Sequence, residues 1–121
     1  ITPLTTHMKD ILSLVSQRDN YIFSYDGIKP LNCFSQLKKR LIHCSGVTHW
    51  TYHDFRRSMG TFLGDNGFNK DKIMTVLNHK DSSVTSIYNR SHQFKQKLEA
   101  LNFWNEHLIN KGIGGGRAYS V

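Results

Sequence analysis

Apolar residues recur at steps of three and four along most of the chain, the spacing that gives a helix one buried face. Met8, Ile11, Leu12 and Val15 predict a first helix that opens at Thr5 or Thr6 and ends at Asp19-Asn20. Phe34, Leu37, Leu41 and Cys44 form the inner face of a second, with Asn32 as cap, Gly46 as stop and Lys38, Lys39 and Arg40 turned outward. Thr51-x-x-Asp54 has the form of a capping box, so a third helix starts there and runs to Gly67, with Phe55, Met59, Phe62 and Leu63 as its core stripe. A fourth, over 70–77, buries Ile73, Val76 and Leu77, and a short one over 83–89 carries Ile87 and Tyr88, with His79 in the connection. The last, over 92–110, places Phe94, Leu98, Leu101, Trp104 and Leu108 on one side before Gly112.

Strand signals are few. Residues 1–4 read as the end of a strand running into the first helix, and Tyr21-Ile22-Phe23 as one strand or an extended link before the turn signals Asp26-Gly27 and Lys29-Pro30. The expected fold is mainly α, with at most a short β element near the N-terminus. Residues 112–121 are glycine-rich and read as a flexible tail. The first residue is Ile rather than Met, so the expectation is a piece of a longer protein, and no internal repeat is found.

With 121 residues and 38% hydrophobic content the chain supports one modest core, hence one domain. Its formal charge of +7 suits a polyanionic partner, nucleic acid foremost, without excluding a solvated basic surface. Apolar runs are a few residues long, far short of the roughly 18 needed to span a bilayer, which predicts a soluble protein with no membrane partner. Cys33 and Cys44, placed on one helix, stand about 16 Å apart at 1.5 Å per residue. That separation forbids a disulfide between them and fits a reducing compartment.

The chemistry centres on the third helix. At 100° per residue His53 and Arg56 lie about 60° apart on one face, with the core stripe roughly 100° away, so Arg56 borders the core and Arg57 faces the opposite side. His53 sits beside free backbone N–H groups at the positive end of the helix, where phosphate is attracted. Gly60, a turn further on, leaves room on that side for close approach. A weaker alternative is a zinc site of Cys44, His49 and His53, spaced by five and four but lacking a fourth ligand.

Three segments together are more specific: His53-Asp54-Phe55-Arg56-Arg57, Leu77-Asn78-His79-Lys80 and Ile87-Tyr88-Asn89-Arg90. His79 stands 26 positions beyond His53, and Tyr88 nine beyond His79. In order and spacing the sequence resembles the tyrosine recombinase or phage integrase family, over residues 1 to about 110. Its ending, through Glu99-Ala100-Leu101 and Trp104, is similar to integrases of prophages and genomic islands. Asn78 occupies a place where many relatives have Gly and the island subgroup commonly has Asn. The family's earlier Arg and its β-hairpin Lys have no counterpart here, so the resemblance implies the C-terminal portion of the catalytic domain, over residues 1–111, chemically incomplete alone.

The resemblance implies site-specific recombination of double-stranded DNA attachment sites by a tetramer, in the cytoplasm of a bacterium and associated with its nucleoid. Tyr88 is then the nucleophile, Arg56 the phosphate clamp, and His53 and His79 hydrogen-bond donors to the same phosphate, His53 also a possible acceptor of the tyrosyl proton. No metal or other cofactor is called for. Arg57, Lys80 and Arg90 are the candidate DNA contacts. Two rival readings share the residues: a DNA-binding module without catalysis, and a type IB topoisomerase, which uses the same chemistry to relax supercoils.

Overall fold

A computed structural model of the chain describes residues 2–15, 20–78 and 90–112. Five helices follow in order: α1 (Thr6–Ser13), α2 (Phe34–Ser45), α3 (Tyr52–Asp65), α4 (Lys70–Val76) and α5 (Arg90–Asn110). Among the described residues there is no strand. The short β element allowed for near the N-terminus is therefore absent from 2–5 and from 21–23. The latter is a bent link whose Phe23 carbonyl accepts from the Leu31 N–H at 3.0 Å. The helix proposed over 83–89 and the tail beyond Gly112 lie outside the described residues.

Local signals set the helix ends. Thr5, in extended conformation, accepts the Met8 N–H on its hydroxyl at 3.2 Å and starts α1. The capping box opens α3: the Asp54 carboxylate accepts the Thr51 N–H at 2.7 Å. Asn69 caps α4 by accepting from Lys72 at 2.9 Å. At the other ends, Gly46 (φ 70°) stops α2 and Gly112 (φ 84°) follows α5, both in the left-handed region that favours glycine. Cys33 rather than Asn32 holds the N-cap position of α2, with no side-chain hydrogen bond.

The core lies between α3 and α5. Leu63 and Ala100 are fully buried and Met59 and Leu101 nearly so; Met8, Phe62, Phe68, Ile73, Val76, Leu77, Phe103 and Trp104 pack around them. Phe62 stacks on Phe103, with ring centroids 5.4 Å apart, and on His107 at 4.0 Å. The α4 helix closes over the glycine face of α3. A methyl added at Gly60 would stand 3.5 Å from Leu77 Cδ1, and one at Gly64 3.7 Å from Ile73 Cδ1. Lys72 of α4 and Glu99 of α5 add an ion pair at 3.6 Å. The N-terminus joins this core through Pro3 and Thr5, both buried, and the Thr5 hydroxyl also accepts a hydrogen bond from the Asn105 amide of α5.

Four parts of the expected stripes are corrected, the first being Ile11 of α1, which is 43% exposed. Phe55 is 60% exposed and Phe94 41% exposed, so neither belongs to the core. On α2, Phe34, Leu41 and Cys44 are exposed, and only Leu37 of the expected inner face is half-buried. That helix is fastened at its edge: the Tyr52 hydroxyl donates to the Phe34 carbonyl at 2.7 Å, their rings meet edge to face, and Lys38 lies over Trp50, 5.2 Å from the ring centroid.

Candidate functional site

His53 is exposed in the first turn of α3, and Arg56 stands one turn further along. The Arg56 guanidinium reaches across to α4 and donates to the Leu77 carbonyl. A cation at that carbonyl also suits the negative end of a helix dipole. The contact is made where α4 lies over Gly60 and Gly64, with Leu77 and Ile73 against that face of α3. Gly60, expected to open onto a phosphate, is instead covered by Leu77 and Ile73.

Beyond Leu77 the chain turns through Asn78, whose φ of 54° lies in the left-handed region. Asn is among the few non-glycine residues that enter this region readily. The Asn78 side-chain oxygen accepts from Lys97 Nζ of α5 at 2.9 Å. Lys97 in turn lines a cleft with Arg90, Gln93 and Phe94 on the first turns of α5. Arg56, the 77–78 turn and Arg90 are thus linked at one end of the α3–α4–α5 assembly. His79, Lys80 and Tyr88 lie outside the described residues, between that turn and Arg90 in the chain.

Arg57 is set apart from this group. It pairs with Asp54 at 3.6 Å, both partners exposed, and borders a groove with His49, Trp50 and Thr61 on another side of α3. Such an exposed pair contributes little to stability and leaves the guanidinium available. The Asp54 carboxyl is held below its ordinary value, chiefly by the Thr51 N–H and further by Arg57 and His53. Cys44, His49 and His53 do not converge: among the described residues no group of three or more His, Cys, Asp or Glu could hold a metal ion. Both cysteines are free thiols.

Sequence reasoning singled out Arg56 but missed its partner, since the carbonyl of Leu77 has no signature of its own. It missed Lys97 as well. The signal that could have found it is Asn78 one residue past a helix end, a position that fixes a turn and leaves a side-chain amide to be bound.

The profile of the phage integrase family matches residues 3–95, from the buried Pro3 to the first turns of α5. The chain belongs to the phage integrase family. No curated protein and no solved structure matches it. Membership of this family implies tyrosine recombinases, DNA binding and site-specific recombination in general. A mainly helical fold is consistent with that membership. No helix of the described residues is long and apolar enough to cross a membrane.

Proposed function

We propose that this integrase chain, over residues 1–111, is the C-terminal portion of a tyrosine recombinase catalytic domain that cuts and rejoins DNA through a 3′ phosphotyrosine. Residues 112–121 form a tail to it. The observation that carries the reading is the junction of α3 with the end of α4: Arg56 bonded to Leu77, two residues ahead of His79, in a chain matched by the family profile.

In this mechanism the Tyr88 hydroxyl oxygen attacks the scissile phosphorus and the bond to the 5′ oxygen breaks. A tyrosyl ester conserves the phosphodiester's energy, so no ATP is consumed. The transition state places extra negative charge on the nonbridging oxygens. The Arg56 guanidinium has donors beyond the one bonded to Leu77 and meets that charge with them. His53 and His79 donate to the same phosphate, and His53 takes the tyrosyl proton, since a phenol of pKa about 10 is a weak nucleophile at neutral pH. The leaving 5′ oxygen takes its proton from a Lys that, with a further Arg, these 121 residues do not supply. A 5′ hydroxyl from a second duplex then attacks the phosphotyrosine and releases Tyr88. Arg57, Lys80 and Arg90 hold backbone phosphates, and four copies assemble on paired attachment sites in the bacterial cytoplasm.

The test is a nicked suicide substrate given to the intact recombinase and to its Tyr88→Phe variant. The expected result is a denaturation-resistant protein–DNA adduct with the first and none with the second, at nearly equal DNA affinity. DNA binding without an adduct favours a binding module. An adduct with supercoil relaxation and no strand exchange favours a topoisomerase.

A further inference from the structure

Two consecutive residues at the end of α4 are gripped from two other helices. Arg56 of α3 donates to the backbone oxygen of Leu77, and Lys97 of α5 donates to the side-chain oxygen of Asn78 at 2.9 Å. Asn78 is the one non-glycine residue with positive φ among those described. A glycine would adopt that backbone conformation with less strain, but it would offer Lys97 no side-chain oxygen. The α5 helix also packs against the core cluster that α4 borders through Ile73, Val76 and Leu77, so Lys97 reaches the turn from a neighbouring packed helix. His79 follows Asn78 directly in the chain.

We infer that Lys97 is a positioning residue: through the Asn78 side chain it fixes the turn at the end of α4, directly ahead of His79 in the sequence. The inference rests on the recombinase reading given above, and it concerns a residue beyond the span that the family profile matches, 3–95. Lys97 also lines the cleft with Arg90, Gln93 and Phe94. A direct contact to a DNA phosphate is the competing role, and it differs in what depends on Asn78.

The experiment compares single-turnover adduct formation and DNA affinity in the intact recombinase for Lys97→Met, Lys97→Arg, Asn78→Gly and the Lys97→Met/Asn78→Gly double variant. Lys97→Met is expected to slow adduct formation about tenfold, the scale of a small misplacement of a catalytic group, with DNA affinity within about twofold. Lys97→Arg restores most of the rate. Asn78→Gly slows adduct formation as Lys97→Met does, and the two effects do not multiply in the double variant, because both variants break the Lys97–Asn78 bond. An unchanged rate in Lys97→Met, a loss of affinity equal to the loss of rate, or effects that multiply in the double variant would each overturn the proposal.

A second readout needs no cleavage. In the 121-residue chain the His79 imidazole nitrogen resonances and their titration midpoint are expected to move in Lys97→Met and Asn78→Gly and to return in Lys97→Arg, with His7 on α1 unmoved. A His79 signal indifferent to Lys97 overturns the proposal even where cleavage slows. A coupled His79 signal in a recombinase that forms no adduct counts against the recombinase reading and leaves the positioning role standing.

Discussion

The α3–α5 region and the segment from 20 to 47 carry similar densities of large apolar residues, yet one buries them and the other displays them. Leu63 is fully buried, whereas Phe23 is 57% exposed and Ile28 71% exposed. What holds the second region is polar and local. Ser24 donates to the Lys29 carbonyl at 2.6 Å and accepts from Gly27 at 2.9 Å, while the Asp26 carboxylate accepts from Ile28 and Lys29 at 2.9 and 3.0 Å. A helical stripe specifies that a face is apolar; it does not specify what will cover it. In α3 the cover is α5. On α2 a row of the same spacing, Phe34, Leu37 and Leu41, leaves Phe34 and Leu41 exposed, and the helix is fastened at its edge through Tyr52 and Trp50.

The contrast can be broken most sharply at matched leucines. Leu63→Ala should cost about 2–5 kcal/mol, a core truncation with a cavity, whereas Leu41→Ala at a half-exposed site should cost under about 1 kcal/mol. Urea unfolding of both variants measures the difference, and equal losses would mean that the two regions are equally packed. A smaller effect is expected at the joint between the N-terminus and α5. Thr5→Ala removes the cap of α1 and the acceptor for Asn105, a loss of about 1–2 kcal/mol by the same measurement.

The smallest effect is one of acid, and it touches both regions at their turns. Asp54 is held below its ordinary value chiefly by the Thr51 N–H, and Asp26 chiefly by the Lys29 N–H. A carboxyl with a depressed folded value stabilises above its unfolded value and loses that contribution as pH falls through the folded one. Amide signals of Thr51 and of Ile28 and Lys29 should therefore shift together with protonation below about pH 4, with Leu63 unaffected. Asp54→Asn should flatten the response at Thr51 and leave that at Lys29 intact.

Much of the helical layout was legible because its punctuation is local. The capping box at Thr51 and Asp54 and the stop at Gly46 are written within a few residues, and both occur where expected. Ends without such marks drifted: α1 stops at Ser13, short of Asp19-Asn20, and α3 stops at Asp65 rather than Gly67. Ala100, fully buried, does not stand out in the sequence because a methyl adds little to an apolar stripe, though its small size lets α5 lie close in the core. Spacing alone puts Phe55 on the inner face, but it packs beside Trp50, with ring centroids 5.5 Å apart, at the open start of α3. Within the candidate site, His53 and Arg56 could be placed on one helix from their spacing. The reach of Arg56 to Leu77 depends on α4 folding back over Gly60 and Gly64, and no local pattern encodes that.

The bond from Arg56 to Leu77 also changes how a lesion at Arg56 should be interpreted. On the proposed recombinase mechanism, an alanine there withdraws a phosphate ligand and, in the same stroke, frees the end of α4, so the measured rate loss is a sum of two defects with separate remedies. Added guanidinium ions would be expected to replace the first by occupying the phosphate, but would not re-tether a helix. The unrescued remainder then estimates how much of the arginine's worth is architectural.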